Sequence, residues 1–288
     1  MNAGQNTHLT WVNVGIGFCF VAVDAVVSYG LGLGVGTSLV SSAARCIVQL
    51  SVMSLILEGV FNSSSPWAVG GISCLLLVLG SFETVANKSK YRFSGMFPST
   101  FVAMAISTIP VSIIGTRFAM SETEFWAAEK YIPVLGMLCG STISGIVVAT
   151  TSVLKELHEN RDKVETYLAF GASRYEACKP IATSALRLAL TPTINQMSVI
   201  GLISIPGMMT GAILGGASVD QAAKLQMVIM FMINACTTLA SIVGMFAALY
   251  RAVDDCWLSK VASLSGPFAC RWEWGTGAAL RITIPHVF

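Results

Sequence analysis

Few side chains in this 288-residue sequence are equipped for chemistry, and most of those stand alone in apolar surroundings. Asp24, Arg45 and Gln49 interrupt one apolar region; Gln196, Pro206, Met208 and Met209 interrupt another. Ionised groups inside a bilayer are costly, so Asp24 and Arg45 read either as a structural ion pair or as parts of a solute path. Gln49 lies one helical turn from Arg45 and shares its face. The paired methionines offer soft sulfur to a soft metal or fill gaps in packing. No catalytic constellation accompanies them: His8, His158 and His286 are far apart, and neither HExxH nor GxSxG occurs. The alternating glycines of Gly30–Gly36 are not followed by lysine, and GxxxxGK[ST] is absent. The chain is therefore expected to be no enzyme and to hold no cofactor, and any ATP that drives it must sit on another protein. The eight cysteines form no CxxC or Cys/His pair, so a metal site is left unknown and buried small hydrophobes are the expected role.

The elements that carry these groups are membrane spans. Composition is 54% hydrophobic and 11% charged, against about 25% charged in a soluble domain. Uncharged runs at 25–44, 59–82, 93–116, 131–154, 188–219 and 225–250 each reach bilayer-spanning length. We draw seven spans, near Thr10–Gly30, Val40–Phe61, Trp67–Ala86, Met96–Arg117, Ile132–Leu154, Leu186–Leu214 and Ala222–Tyr250, in an all-α, polytopic, multi-pass membrane protein. Thirteen of the 17 basic residues fall in the third connection, the fifth connection with Arg187 at its edge, and the tail. Placing those segments in the cytoplasm sets the N-terminus outside and the C-terminus inside. Residues 1–250 then form a transmembrane domain and 251–288 a cytoplasmic tail. Trp257, Trp272 and Trp274 suit that tail to a membrane surface or a partner. Outside, Glu122, Glu124 and Glu129 form an acidic patch, either solvated or cation-attracting, with Trp126 and Tyr131 as interfacial anchors. The choice between the plasma membrane and an internal membrane is left open, and no nucleic-acid partner is implied.

The longest inner connection, about 155–180, reads as helix, break, helix. Lys155–Leu168 is rich in helix formers, with Leu154, Leu157, Val164 and Leu168 on one face. Gly171 supplies a left-handed stop, Ser173 an N-cap, and Glu176 three residues later a capping box. The following span carries Pro192 and Pro206-Gly207. Such a break survives at membrane depth only when buried in protein or lining a cavity, which leaves kinked packing and a solute site both open.

Glu165, Gly171, Ala172 and Ser173 resemble the E-x-x-x-x-x-G-A-S loop of ABC-transporter permeases. IPVLGMLCGSTISG (132–145), residues 186–216 with their SIPGMMTG, QAAKLQMVIMFM (221–232), RCIVQL (45–50) and KSKY (88–91) are similar to the FetB-type iron-export permease family, which includes bacterial FetB and plant aluminium-tolerance permeases. The resemblance spans roughly 40–250. It implies the permease subunit of an ABC transporter, paired as a homodimer within membrane lipid and driven by a separate ATPase subunit that binds ATP. It makes Glu165, Gly171, Ala172 and Ser173 the coupling residues, and iron-like metal export the leading function, with nucleotide-sugar or other solute transport as the alternative. Arg45, Gln49, Gln196, Pro206, Met208 and Met209 are our candidate translocation-pathway residues. A seven-span receptor shares the topology, and an ATP-independent channel or secondary transporter shares the broken span; co-purification of an ATPase and transport without ATP separate these classes.

Overall fold

In a computed structural model the described residues are 10–61, 66–89, 93, 95–121, 126–203 and 205–261, and they are helical nearly throughout. The chain divides into two compact units, residues 1–64 and 65–288. The sequence-predicted Lys90, Arg92, Glu122, Glu124, Trp272 and Trp274 lie outside the described residues, as do the side chains of Glu165 and Trp257.

The first unit is a helical hairpin of α1 (Trp11–Gly30) and α2 (Gly36–Phe61). Its glycine-rich connection uses Gly32 and Gly34 at φ 65° and 69°, a backbone that L side chains resist. Gly36 lies so close to α1 that a Cβ there would stand 3.1 Å from the Ala25 carbonyl oxygen. The alternating glycines thus make a turn and a close helix contact.

The second unit contains α3 (Pro66–Glu83), α4 (Met96–Ile114), α5 (Ala128–Glu159), α6 (Arg161–Ala169), α7 (Arg174–Val199), α8 (Gly207–Leu214) and α9 (Val219–Val261). α3 and α4 each end in a π-helical turn, at Thr84–Lys88 and Gly115–Ala119. The centre is the pairing of α5 with α9. Small residues let these backbones approach, as is common between membrane helices. Gly145 faces Thr237 and Ser241, and an added Cβ would meet them at 2.6 and 2.7 Å. One apolar cluster joins Ala149 and Val153 of α5, Val164 of α6, Ala177, Cys178 and Ile181 of α7, and Met245 and Ala248 of α9. A second joins Val134 and Leu138 of α5 to Ile229, Met230, Met232 and Ile233 of α9.

Among the described residues six helices, α1–α5 and α9, are long and apolar enough to cross a membrane. The expected sixth span is the exception, because it forms two helices, α7 and α8. Two other expectations need adjustment. Tyr131 is no interfacial anchor: it is 8% exposed, and its hydroxyl shares a 2.9 Å hydrogen bond with Ser112. The last helix also continues past Tyr250 to Val261, so the beginning of the expected tail is helical. The cysteines whose burial is described split, with Cys139, Cys178 and Cys236 buried and Cys19, Cys46 and Cys74 exposed.

Candidate functional site

The inner connection is built as a short helix between two stops. α5 does not run on to Leu168; it ends at Glu159, and Asn160 adopts φ −107°, ψ 27°. The Asn160 amide donates to the Glu156 carbonyl, satisfying one orphan acceptor of the last turn. The chain restarts as α6, nine residues long. Its Val164 is buried against Ala177 and Cys178 of α7, and Leu157 and Leu168 pack on the same cluster, as their spacing predicts.

α6 stops in a Schellman motif. The Gly171 N–H donates to the Leu168 carbonyl and the Ala172 N–H to the Tyr167 carbonyl, both at 3.0 Å. Gly171 takes φ 88°. Ser173 then caps α7. Its hydroxyl accepts from the Glu176 N–H at 3.4 Å, and the Glu176 carboxylate accepts from the Ser173 N–H and hydroxyl at 2.9 and 2.7 Å. These bonds hold the Glu176 carboxyl below its ordinary value, the Ser173 hydroxyl contributing most and the Ser173 N–H next. Gly171, Ala172 and Ser173 therefore form one rigid joint, with the Glu165 backbone on the helix leading into it. Around it stand three exposed aromatics that the loop pattern did not single out: Tyr167, Phe170 and Tyr175, at 52%, 86% and 60% exposure. Tyr175 stacks on Phe246 of α9, with centroids 6.2 Å apart.

A second joint repeats the first. Gly171-Ala-Ser-x-x-Glu-Ala-x-Lys179 recurs as Gly216-Ala-Ser-x-x-Gln-Ala-x-Lys224. Gly216 takes φ 95°, and its N–H and that of Ala217 donate to the Ile213 and Ala212 carbonyls at 3.0 Å each. Ser218 accepts from the Gln221 N–H at 3.4 Å. The two joints bracket α7, the break and α8.

At the break, α7 ends at Val199, Gly201 turns at φ 90°, and Pro206 leads into α8 at φ −64°, ψ 148°. Pro206 is half-buried, as are Met208 and Met209. Met208 packs against the cluster of Met230, Met232 and Ile233, a gap-filling role. Gln196 is exposed on the last turn of α7. Arg45 and Gln49 are exposed on α2, in the other unit, with Asp24 exposed on α1. The structure gathers Gln196, Pro206, Met208 and Met209 along one interrupted segment. Among the described residues no group of three or more His, Cys, Asp or Glu converges to hold a metal.

One further pattern runs along α7. Ser184, Arg187, Thr191, Asn195 and Ser198 are all exposed, and their 3- and 4-residue spacing puts them on one face. Counting Arg187 only as an edge charge of the inner connection hides this stripe, although its spacing is legible in the sequence.

The family model described as "Uncharacterised protein family (UPF0014)" matches residues 11–253. A protein named "UPF0014 membrane protein slr1647" from Synechocystis is 31% identical over 250 residues, covering 85% of this chain and 93% of its own length. "Protein ALUMINUM SENSITIVE 3" of Arabidopsis thaliana is 28% identical, covering 78% and 81%. "Probable iron export permease protein FetB" of Escherichia coli is 24% identical, covering 84% and 92%. No solved structure matches the chain. The apolar helices and the membrane-protein relatives together make this an integral, multi-pass membrane protein.

Proposed function

The chain belongs to the UPF0014 family, and on that footing we propose that it is the membrane-spanning permease subunit of an ABC transporter. A separate ATPase subunit docks on α6 and the first joint, and two copies of the chain pair around the path. The N-terminus lies outside and the C-terminus inside. The cargo is an iron-type metal, in keeping with the printed name of FetB.

The observation that carries this reading is the capped joint. Its two stops fix α6 as a short lever, and Tyr167 and Phe170 give that lever an exposed apolar surface beside Asp162 and Lys163. Val164 ties the lever to the base of α7. Movement of α6 is thereby transmitted to the helix that carries the break. A closing ATPase pair would push the lever, and the break between α7 and α8 would take up the motion.

Two measurements test the proposal. Purification of the tagged chain from its own membranes should bring down an ATPase subunit. Proteoliposomes holding both proteins should move iron only with ATP. Transport by the chain alone, without ATPase or ATP, would favour a channel or secondary transporter, the reading that the broken helix also accommodates.

A further inference from the structure

The exposed stripe on α7 tells what kind of cargo this path accepts. Arg187 is exposed, and its guanidinium has no hydrogen-bond or ion-pair partner among the described residues, although its carbonyl accepts from the Thr191 hydroxyl at 2.7 Å. Its depth follows from the register of α7 against α9. The Tyr175–Phe246 stack fixes one end of that packing. At the other end, Met197 and Ile200 pack against the cluster that Val134 and Leu138 of α5 form with Ile229, Met230 and Ile233 of α9. The helices therefore run antiparallel. Arg187 lies twelve residues beyond Tyr175, roughly 18 Å at 1.5 Å per residue. That places it level with about Asn234, near the middle of the uncharged 225–250 stretch of α9.

An arginine at such depth, facing lipid without a partner, costs about 2.5–3.5 kcal/mol even on insertion scales. The same face also carries Ser184, Thr191, Asn195 and Ser198; the Thr191 and Ser198 hydroxyls donate to the Arg187 and Ile194 carbonyls at 2.7 and 3.0 Å, which leaves the Asn195 amide as a further group that hydrocarbon does not solvate. A polar row with one cation is what an aqueous path presents, whereas a lipid-facing helix presents an apolar one. From Ala177 to Val199, α7 carries Lys179 and Arg187 and no carboxylate. A bare divalent cation would meet repulsion here. A guanidinium forms paired, charge-assisted hydrogen bonds with carboxylate or phosphate.

We infer that the α7 stripe lines the transport path and that Arg187 binds an anionic group, carboxylate or phosphate, on the cargo. The inference rests on the permease reading and deepens it: metal would travel as an anionic chelate. A phosphate-bearing solute satisfies the same chemistry, and the test separates the two.

The full chain, with the exposed Cys19, Cys46 and Cys74 and the tail's Cys256 and Cys270 replaced by alanine, is reconstituted in liposomes. Thr191→Cys, one turn from Arg187, is labelled with water-soluble thiol reagents that differ only in charge. The anionic reagent should react at least about fivefold faster than the cationic one, as expected for a unit charge one turn away at intermediate dielectric. Arg187→Gln should abolish that preference, and Arg187→Lys should keep much of it. Citrate, ferric citrate, inorganic phosphate, a nucleoside diphosphate sugar and Fe2+ alone are then tested as protectants. Protection by ferric citrate assigns a chelate; protection by the phosphate compounds assigns a phosphate-bearing solute; either should vanish in Arg187→Gln. The inference is overturned if Thr191→Cys reacts with neither reagent while a cysteine at Ser38 does, because the stripe is then dry. It is also overturned if Fe2+ alone protects equally with arginine or glutamine at 187. None of these readings needs the ATPase. Intact anion protection without any co-purifying ATPase would therefore remove the ABC proposal and leave this one standing.

Discussion

The two Gly-Ala-Ser joints are nearly the same object in two settings. Both stop a helix with a glycine at φ near 90° and restart it on a serine cap. Each then buries an alanine, Ala177 or Ala222, at 1% exposure. Their surroundings differ. The first follows a nine-residue helix flanked by the exposed Tyr167, Phe170 and Tyr175, and it ends in a charged Ser–Glu box. The second follows the eight-residue α8, with Leu214 and Gly215 before it and an Asp220–Lys224 ion pair of 2.7 Å after it. Local sequence is sufficient to make the joint; what distinguishes a docking surface is what stands around it. Gly-Ala-Ser alone therefore marks a stop-and-restart. The lever we propose differs by the added glutamate six residues earlier, Glu165, and by the aromatic flank, and nothing equivalent to Glu165 precedes Gly216.

The largest effect expected from this comparison comes from forcing a β-branched residue into each left-handed position. Neither glycine has a neighbour within 4 Å of its Cβ position, so the cost is conformational, not steric crowding. A left-handed backbone costs an L residue roughly 1–2 kcal/mol. Gly171→Val and Gly216→Val should thus lower thermal stability alike, with both proteins still inserted. Only Gly171→Val should abolish ATP-driven transport and ATPase co-purification. If Gly216→Val releases the ATPase as fully, the functional asymmetry between the joints is gone.

After the loss of transport comes an effect on stability alone, overpacking just beyond each cap. Ala177→Leu and Ala222→Leu each force extra methylenes into filled space, with an expected loss of about 1–3 kcal/mol in thermal unfolding. The values should be similar, since the alanines occupy equivalent places. A far smaller loss at Ala222 would show that the second joint is loosely seated. Smaller still, Ser173→Ala and Ser218→Ala should each cost about 1 kcal/mol through the lost cap. Ser173→Ala should additionally weaken ATPase capture, read by the yield of co-purified subunit.

How much of this was legible beforehand follows from what each feature depends on. The glycine stop at 171, the Ser173–Glu176 box and the break at Pro206-Gly207 are local hydrogen-bonding and φ/ψ constraints, and the sequence carries them directly. Span ends are legible to within a few residues for α1, because polarity changes sharply there. The stop at Asn160 was missed because an asparagine among helix formers is a weak signal until its amide finds the Glu156 carbonyl. Tyr131 looked interfacial because its partner Ser112 lies on another helix. The α7 stripe is obscured in the sequence because a basic residue at the edge of the inner connection reads as a topological charge, and its depth depends on the register of α7 against α9. The candidate pathway residues divide between two units, and spacing along the chain carries no information on such a division.

The finest distinction between the joints is their response to acid, since only the first closes its cap with a carboxylate. The Glu176 carboxyl is held below its ordinary value by the Ser173 hydroxyl and N–H. A depressed folded-state value means the unfolded chain binds the proton more readily. The contribution to stability is thus fully present above the unfolded value of about 4.3 and is lost as pH falls through the lower folded value. Gln221, at the equivalent place, has no proton to gain. Amide exchange in a chain carrying Asp220→Asn, which removes the carboxylate of the second joint, should, once corrected for the intrinsic pH dependence, show protection of residues 171–177 falling below about pH 4 while that of 216–222 stays level. Glu176→Gln should make the first joint behave as the second does. Because Glu176 is fully exposed, the effect should be small. Equal acid loosening of both joints would mean that the Ser–Glu box adds nothing beyond the shared Schellman stop. The first joint's distinctness would then lie entirely in Tyr167, Phe170 and the helix that presents them.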